Sequence, residues 1–313
     1  MAGLRRRTLV LRALAGVAAA AVGGAAAACS PRTETDGDNG TGKGDPVTRH
    51  RYQYGGDASQ WGELFLPELP DGGEHRGVVA VIHGGYWRSQ YGAELGEPLA
   101  ADLAAHGMAA WNLEYRRAGN GGGWPNTFID VLAGIDKLQD LAAAHALNLG
   151  PVVALGHSAG GHLAAWAAGR GKLAQLGLPE VDSQVPRRQD ATSVHLSGVV
   201  SQSGLLNLAE AERLNLSNGA VVNLLGGPSS EYPLRHRYAD PMATLPLAVP
   251  VMAVHGSDDH TVPLSQSESY VNAGTAAGMA AQLVMVPGDH YALIDPKTDA
   301  YRTCRELVRS LLG

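Results

Sequence analysis

One serine of this sequence stands in a setting that suits nucleophilic chemistry. The 313-residue chain has GHSAG over residues 156–160, directly after an apolar run that begins at Val152. A serine on a sharp turn between a strand and a helix adopts strained backbone angles, and side chains at the two glycine positions would collide with such a turn. The pattern therefore predicts that Ser158 carries a reactive hydroxyl, pushed into the open at the start of a helix.

A serine nucleophile needs a base, and the base needs a carboxylate that orients it. Two later segments offer these groups, HGSDDHTVP over 255–263 and PGDHY over 287–291. The chain order serine, acid, histidine is the one that accompanies a serine on a strand-to-helix turn. His290 follows the last apolar run, at the same predicted sheet edge as Ser158, and is therefore the predicted base.

The acid in the first of these segments could be Asp258 or Asp259, and spacing alone barely separates them. The segment resembles the pattern HGxxDxxVP, which selects Asp259. Asp258 is then a solvated or loop-capping neighbour, and we expect His260 and Asp289 to point away from the site. The predicted acid is Asp259.

A third segment, HGGYW over 83–87, also follows an apolar run. Attack on a carbonyl group develops a negative oxygen, and backbone N–H groups aimed at that oxygen stabilise it. Two consecutive glycines let the chain turn so that the N–H groups of Gly85 and Tyr86 can face the same point as that of Ala159. These three groups are the predicted oxyanion hole, and His83 is interpreted as a structural residue that holds the loop.

Other chemistries find little support in the sequence. It contains no HExxH, no CxxC and no helical histidine pair at ligand spacing, and no Gly-Lys-Ser/Thr follows a glycine-rich turn. We therefore expect neither a metal nor a cofactor. Lys and Arg number 24 against 30 Asp and Glu, and the one basic cluster lies near the N-terminus. We do not expect nucleic acid as a partner, because a protein that binds a phosphate backbone needs clustered basic residues.

Apolar runs alternate with segments of helical spacing along the chain, whose residues are 45% hydrophobic. The runs, apolar at successive positions as in strands covered on both faces, cover 78–82, 108–113, 152–155, 199–203, 251–254 and 283–286. The helical segments cover 94–106, 127–145, 161–170, 263–279 and 296–312. An antiparallel hairpin is expected from 51–54 and 61–66. This alternation predicts a three-layer α/β fold with a mainly parallel sheet, whose strand ends carry the site.

The N-terminus has the layout of an export signal. Residues 1–28 begin with basic residues, continue through an Ala-rich apolar segment and end on small residues. Cys29 follows three alanines, which resembles the lipobox of bacterial lipoproteins, whose cysteine is acylated. Plain cleavage after an Ala-x-Ala site is the alternative. Both interpretations predict an exported protein, either a cell-surface lipoprotein attached to a membrane through Cys29 or a secreted one.

The segment after the signal lacks the residues of a core. Residues 30–46 include no aliphatic residue larger than alanine and no aromatic residue, so they cannot offset the entropy of ordering. We predict a signal peptide over 1–28, a flexible tether over 29–48 and one folded domain over 49–313. Cys304 is the only other cysteine of the chain, so no disulfide inside the domain is expected and Cys304 is interpreted as a core residue.

Taken together, the motifs resemble those of the α/β-hydrolase superfamily. Within it, the chain is similar to the esterase and arylformamidase-like branch related to hormone-sensitive lipase and to prolyl oligopeptidase domains. The resemblance rests on HGGYW, GHSAGG over 156–161, Asp259 and His290, and it extends over nearly all of the predicted domain. HGGYW differs from the HGGG of typical lipases and is similar to the HGGxW of kynurenine formamidases, which are cytoplasmic.

The resemblance implies a serine hydrolase that works through an acyl-enzyme without a cofactor. We expect a carboxylesterase that acts on small-molecule esters. Hydrolysis of amides, formamides or peptides by the same three residues is the alternative, and a ligand-binding lipoprotein without catalysis is a third interpretation. Substrate shape is expected to depend on residues 117–126 and on the long insertion 204–247. Trp87 and Trp124 could line the pocket or belong to ordinary packing.

Overall fold

The apolar runs form the centre of a single eight-stranded sheet. The structure, a computed structural model, describes residues 47–69, 73–176 and 193–313. Within them the strands are β1 (Thr48–Gln53), β2 (Trp61–Leu66), β3 (Val78–Ile82), β4 (Ala109–Leu113), β5 (Val152–His157), β6 (Gly198–Gln202), β7 (Val251–Gly256) and β8 (Ala281–Val286). Their order across the sheet is β1-β2-β4-β3-β5-β6-β7-β8.

The sheet is parallel except at its N-terminal edge. β1 pairs antiparallel with β2 and β2 antiparallel with β4, whereas every other neighbouring pair is parallel. The mainly parallel sheet and the antiparallel hairpin predicted from the sequence are both confirmed. The register sets Ile82 beside Gly156 and Gly256 beside Val286. The segments after β3, β5, β7 and β8 therefore leave the sheet at the same edge.

Helices occupy the connections between strands from β3 onward, and one helix follows the last strand. In the described residues they are α1 (Glu97–Ala105), α2 (Asn126–Leu141), α3 (Ala159–Ala168), α4 (Arg170–Leu173), α5 (Leu208–Arg213), α6 (Ala220–Leu225), α7 (Pro233–Ala239), α8 (Ser265–Ala276) and α9 (Asp299–Leu312). Short 3-10 turns lie at Ala93–Leu95, Ala174–Leu176, Pro241–Thr244 and Ala292–Ile294. All described residues belong to one compact unit, Gly44–Gly313.

The two faces of the sheet bury separate hydrophobic clusters, because successive side chains of a strand point to opposite faces. In β3, Val79 and Val81 belong to the cluster that includes residues of α1 and α9, while Val78 and Ile82 belong to the cluster of α2, α3 and the insertion after β6. Helices on both faces explain why the strands are apolar at successive positions. Three layers result, as predicted.

One predicted helix is divided in the structure. The sequence favours a helix over 94–106, but a 3-10 turn at Ala93–Leu95 is followed by α1 from Glu97. Pro98 in the first turn of α1 explains the break, since proline has no N–H to donate to the preceding turn. Gly96 stands at the junction, where a Cβ atom would lie 2.3 Å from Asn112 Oδ1.

The C-terminal helix closes one face of the sheet. Thr298 caps α9 by accepting a hydrogen bond from Tyr301 N, and Cys304 of α9 is a free, fully buried cysteine. The interpretation of Cys304 as a core residue is therefore confirmed. The insertion between β6 and β7 carries α5, α6 and α7, with the Asn207 side chain capping α5.

The predicted signal peptide, Cys29 and nearly all of the predicted tether lie outside the described residues. In the part of the chain that the structure covers, no helix combines the length and the apolar character needed to cross a bilayer.

Candidate active site

Ser158 lies on a strained turn between β5 and α3. Its backbone angles are φ 55° and ψ −118°. A Cβ atom at Gly156 would lie 2.2 Å from Gly160 O, and one at Gly160 would lie 1.9 Å from Ile82 O. Only glycine fits either position, as the sequence pattern predicts. Ser158 N donates to Gln202 O at 2.8 Å, which fixes the turn to the neighbouring strand β6.

The Ser158 hydroxyl does not stand in the open. The residue is only 2% exposed and lies at a cavity of about 90 Å³. A Cβ atom at Gly84 would lie 3.1 Å from Ser158 Cβ, so the segment after β3 covers the serine turn directly. The sequence pattern predicts the turn but not its burial, because the residues that cover Ser158 lie more than 70 positions earlier in the chain.

Asp259 and His290 form a buried pair at the ends of β7 and β8. Nδ1 of His290 lies 2.7 Å from Oδ2 of Asp259, whose side chain is fully buried. The other carboxylate oxygen, Oδ1, accepts hydrogen bonds from Thr261 N at 2.8 Å and Val262 N at 2.9 Å. Because an ionised carboxylate can only accept, the pair places the proton of His290 on Nδ1 and leaves Nε2 able to take one.

The surroundings of Asp259 keep it ionised. Burial alone would raise the pKa of this carboxyl, but the hydrogen bond from His290 and the amide of Val262 outweigh it and hold the pKa well below its usual range. Asp258, by contrast, is exposed, and its carboxylate accepts from the Ser257 hydroxyl at 3.3 Å. Of the two carboxyls that spacing alone barely separates, the structure brings Asp259 to His290. His260 and Asp289 are both exposed.

His157 is a residue of this site to which the sequence analysis gave no role. Its Nε2 donates to the backbone oxygen of His290 at 3.0 Å, and the two rings lie 4.5 Å apart. Burial, with the nearby His290, lowers the pKa of His157 to about 3. A neutral His157 therefore supports the His290 segment without adding a charge beside it. The position of His157 between Gly156 and Ser158 was the sequence signal that could have identified it as a site residue.

The cavity brings four of the six predicted site residues together. Ser158, His290, Gly85 and Tyr86 all line it, and Asp259 lies behind His290. The wall is completed by His157, Tyr91, Leu95, Thr261, Tyr291 and Ile294. Tyr91 is 40% exposed and Tyr291 62%, so these two rings form the mouth. Ala159, the remaining predicted residue, is the first residue of α3.

The segment 83–88 carries two of the predicted oxyanion donors, and we name it the oxyanion loop for that prediction. Its backbone is unusual. Gly85, Tyr86 and Trp87 have φ values of 107°, 50° and 55°. Among the described residues, the N–H groups of Gly85 and Tyr86 donate to no protein acceptor. They are available to a ligand, as is the N–H of Ala159, since the first amides of a helix lack an intrahelical acceptor.

A buried polar cluster anchors the start of this loop. His83 stacks on Tyr115 with ring centroids 4.3 Å apart, and its Nε2 lies 3.3 Å from Oε1 of Glu114. The Tyr115 hydroxyl donates to His83 O at 2.8 Å, and Arg117 is ion-paired with Glu114. The structural role predicted for His83 is borne out by these contacts. The supporting roles of Glu114 and Arg117 were not predicted. The one sequence signal for them was an acidic residue directly after the buried strand β4.

Glu114 is the centre of that cluster. Its Oε2 accepts from Ala93 N at 2.9 Å and its Oε1 from Tyr115 N at 2.7 Å. Burial would raise the pKa of this carboxyl, but hydrogen bonding and charge from His83 and Arg117 hold it below the usual range. Arg117 belongs to the segment expected to shape the substrate pocket, but it does not line the cavity and instead pairs with Glu114 in the cluster that anchors the oxyanion loop.

Trp87 and Trp124, which the sequence assigns either to the pocket wall or to ordinary packing, are packing residues. Trp87 is fully buried and contacts His162 edge to face, with centroids 5.1 Å apart. Trp124 packs against Phe128 and Tyr238. Neither lines the cavity of Ser158.

Comparison with known proteins places the chain in a family. The BD-FAE family model matches residues 63–273, about two thirds of the chain. The chain belongs to the BD-FAE family. It is also similar to esterase LipC of Mycobacterium tuberculosis, with 25% identity over 230 residues that cover 72% of this chain and 54% of LipC.

A second relative is the isoprenylcysteine α-carbonyl methylesterase ICME of Arabidopsis thaliana. It is 26% identical over 249 residues, which cover 77% of this chain and 55% of ICME. The BD-FAE chain thus spans about half the length of the curated relatives that it matches.

Two solved structures share the fold. A truncated carbohydrate esterase from gut microbiota has a TM-score of 0.68 at 22% identity, with 86% of this chain and 99% of that chain covered. Esterase B from Lactobacillus rhamnosis, inhibited by a tributyrin phosphonate, has a TM-score of 0.70 at 20% identity, with 86% of each chain covered. With the sheet order, these neighbours show that this BD-FAE member has an α/β-hydrolase fold.

Proposed function

We propose that this BD-FAE protein is a serine carboxylesterase that uses Ser158, His290 and Asp259. The observation that carries the proposal is the buried His290–Asp259 pair, with Nδ1 and Oδ2 2.7 Å apart. His290 of this pair lines the same cavity as a serine held at φ 55°. The motifs that supply the three residues lie far apart in sequence, and their convergence on one cavity fits the requirements of an acyl-transfer site.

In the proposed reaction, Nε2 of His290 takes the proton of Ser158 as Oγ attacks the ester carbonyl carbon. The negative oxygen of the tetrahedral intermediate accepts from the N–H groups of Gly85, Tyr86 and Ala159. His290 then returns the proton to the departing alkoxide, which leaves as an alcohol. Water, deprotonated by His290, attacks the acyl-enzyme, and collapse of the second intermediate releases the carboxylic acid and Ser158.

Charge in the site supports this division of roles. The ionised Asp259 stabilises His290 when the imidazole gains a proton, and the depressed pKa of His157 keeps a competing cation away from it. Of the residues that the structure describes, those that line the cavity include histidines but no lysine, arginine, aspartate or glutamate. The proposed substrates are therefore uncharged small-molecule esters, with small or medium acyl groups.

The activities for which the relatives are named support ester over amide chemistry. LipC is named an esterase and ICME a methylesterase, and the structural neighbours include a carbohydrate esterase and esterase B. Parallel assays on an aryl acetate, a formylated aniline and a prolyl peptide test the preference. We expect turnover of the ester to dominate, and faster hydrolysis of either amide would contradict the proposal.

The decisive experiment removes the serine hydroxyl. Ser158→Ala is expected to lower kcat on p-nitrophenyl acetate by about 10⁴-fold or more and to abolish labelling by a fluorophosphonate. Ser197→Ala is the matched control, because its hydroxyl bonds to Val152 O, on a neighbouring strand and outside the cavity. Undiminished turnover or labelling in Ser158→Ala would refute the assignment.

We further propose that the protein is exported and acylated at Cys29. The support is the sequence pattern of residues 1–29, a basic start, an apolar Ala-rich stretch and small residues before the cysteine. Cys29→Ser is expected to move the protein from the membrane fraction to the soluble exported fraction. Recovery of the unprocessed wild-type chain from the cytoplasm would contradict the proposal.

A further inference from the structure

The oxyanion loop needs support along its length. Gly85, Tyr86 and Trp87 are three consecutive residues with positive φ, and only the first is a glycine. Non-glycine residues in this region are strained and persist only where surrounding contacts fix them. The polar cluster around Glu114 anchors His83 at the start of the loop. Tyr86, whose N–H is a proposed oxyanion donor, needs a contact of its own.

The Tyr86 side chain supplies such a contact. Its hydroxyl donates to the backbone oxygen of Thr261 at 2.8 Å, across 175 positions of sequence. Thr261 N in turn donates to Oδ1 of Asp259 at 2.8 Å. One residue thus joins the segment that carries the oxyanion donors to the segment that carries the proposed acid.

The bond crosses the site. Tyr86 follows β3 and Thr261 follows β7, and in the sheet these strands are separated by β5 and β6. Ser158 lies at the end of β5, and all three residues line the same cavity. A contact between the two outer segments therefore fixes the width of the cavity around the serine.

The chemistry of the bond suits a permanent contact. Burial, followed by the charge of Asp259, raises the pKa of Tyr86 to about 12, so the hydroxyl keeps its proton and remains a donor. The acceptor is a backbone oxygen, which has no titration of its own. The contact thus persists through the pH range in which a serine hydrolase works.

We propose that the Tyr86 hydroxyl is a positioning group, which holds the N–H groups of Gly85 and Tyr86 at the place where the oxyanion forms. This inference rests on the proposed function. Removing the hydroxyl leaves both N–H groups in the chain but lets the loop relax. Oxyanion donors act mainly in the transition state, so such a loss reduces kcat and leaves ester binding nearly unchanged.

The test is Tyr86→Phe, which deletes the hydroxyl and keeps the ring. We expect kcat on p-nitrophenyl acetate to fall about tenfold with KM within about twofold, as misplaced donors cost transition-state stabilisation. The rate constant for inactivation by a fluorophosphonate is expected to fall by a similar factor, because its phosphoryl oxygen uses the same donors. Thermal unfolding of the same samples reports any loss of stability.

Tyr301→Phe is the matched control. The Tyr301 hydroxyl also donates to a backbone oxygen, that of Leu99, at 3.1 Å, but it joins α9 to α1 and lies outside the cavity. We expect this variant to lose stability and to keep the wild-type kcat and inactivation rate.

The outcomes separate the two proposals. Wild-type kcat and inactivation rate in Tyr86→Phe would overturn the positioning role, as would a change in KM alone or a loss of kcat equal to that of Tyr301→Phe. A wild-type protein that neither hydrolyses esters nor reacts with the fluorophosphonate would instead overturn the proposed function, and the positioning role with it.

Discussion

The two sides of the candidate site are held in different ways. On the triad side, local features matter: the glycines at 156 and 160 permit the turn of Ser158, and Oδ1 of Asp259 accepts from amides two and three positions later. Distant bonds, from Ser158 N to Gln202 O and from His157 to His290 O, add to them. On the oxyanion side, the contacts come from far along the chain. Glu114 supports His83, Thr261 holds Tyr86, and the Arg88 side chain donates to the backbone oxygen of Ser217.

The difference shows which contacts hold a strained backbone in place on each side. A turn that is strained at one residue can be fixed by its own glycines and by one bond to the next strand, as at Ser158. A loop strained at three successive residues needs a surrounding framework. Variants on the triad side should therefore affect chemistry most, and variants beneath the oxyanion loop should affect stability as well.

Among the variants that test this difference between the two sides, Asp259→Asn has the largest expected effect. In the proposed mechanism the Asp259 carboxylate fixes the His290 tautomer and stabilises its charged form. An amide cannot replace it, so we expect kcat on an aryl ester to fall by about 10⁴-fold, or about 5 kcal/mol in the activation barrier. Steady-state kinetics measure the loss. Asp258→Asn, one residue earlier and exposed, should change kcat less than twofold. Similar losses in both variants would show that the acid is not Asp259.

In the polar cluster that anchors the oxyanion loop, Glu114→Gln should mainly destabilise the fold. The amide keeps the shape but leaves Arg117 buried without its counter-charge, and we expect the free energy of unfolding to fall by about 3 kcal/mol. Urea denaturation measures this. Glu97→Gln removes an exposed partner of Arg49 and should cost less than about 0.5 kcal/mol. Equal losses would mean that the buried cluster does not stabilise the loop.

The smallest expected effect is a change in the free energy of unfolding at acid pH, caused by His157 on the triad side. In the unfolded chain His157 gains a proton below about pH 6.5, whereas in the folded chain its pKa is lowered to about 3. The folded state binds fewer protons in this window, so the free energy of unfolding falls as the pH falls, by up to about 2 kcal/mol between pH 6.5 and 5. Above pH 7 this contribution is fully present.

Urea denaturation of the wild type and of His157→Gln at pH 7, 6 and 5 isolates this contribution. Glutamine cannot be protonated, so the variant should lose less stability per pH unit on acidification. Parallel pH dependences would show that His157 is not held neutral by the fold.

Much of the fold could be predicted because its signals are local. Continuous apolar runs such as that of β3 indicate strands covered on both faces, and the segments of helical spacing between them require a parallel sheet. The predicted strand 78–82 has the observed limits. The division of the first predicted helix at Gly96 was missed, although Pro98 was a visible reason for it.

Local signals in the sequence suffice for the turn at Ser158, the strand-end positions of Asp259 and His290, and the alternation of strands and helices, because glycine pattern and periodicity act within a few residues. The tertiary structure decided which groups support them: His157 on His290, Glu114 and Arg117 under His83, and Tyr86 on Thr261. No local signal encodes these contacts, because they depend on the strand order β4-β3-β5-β6-β7-β8, which makes neighbours of segments that are distant along the chain.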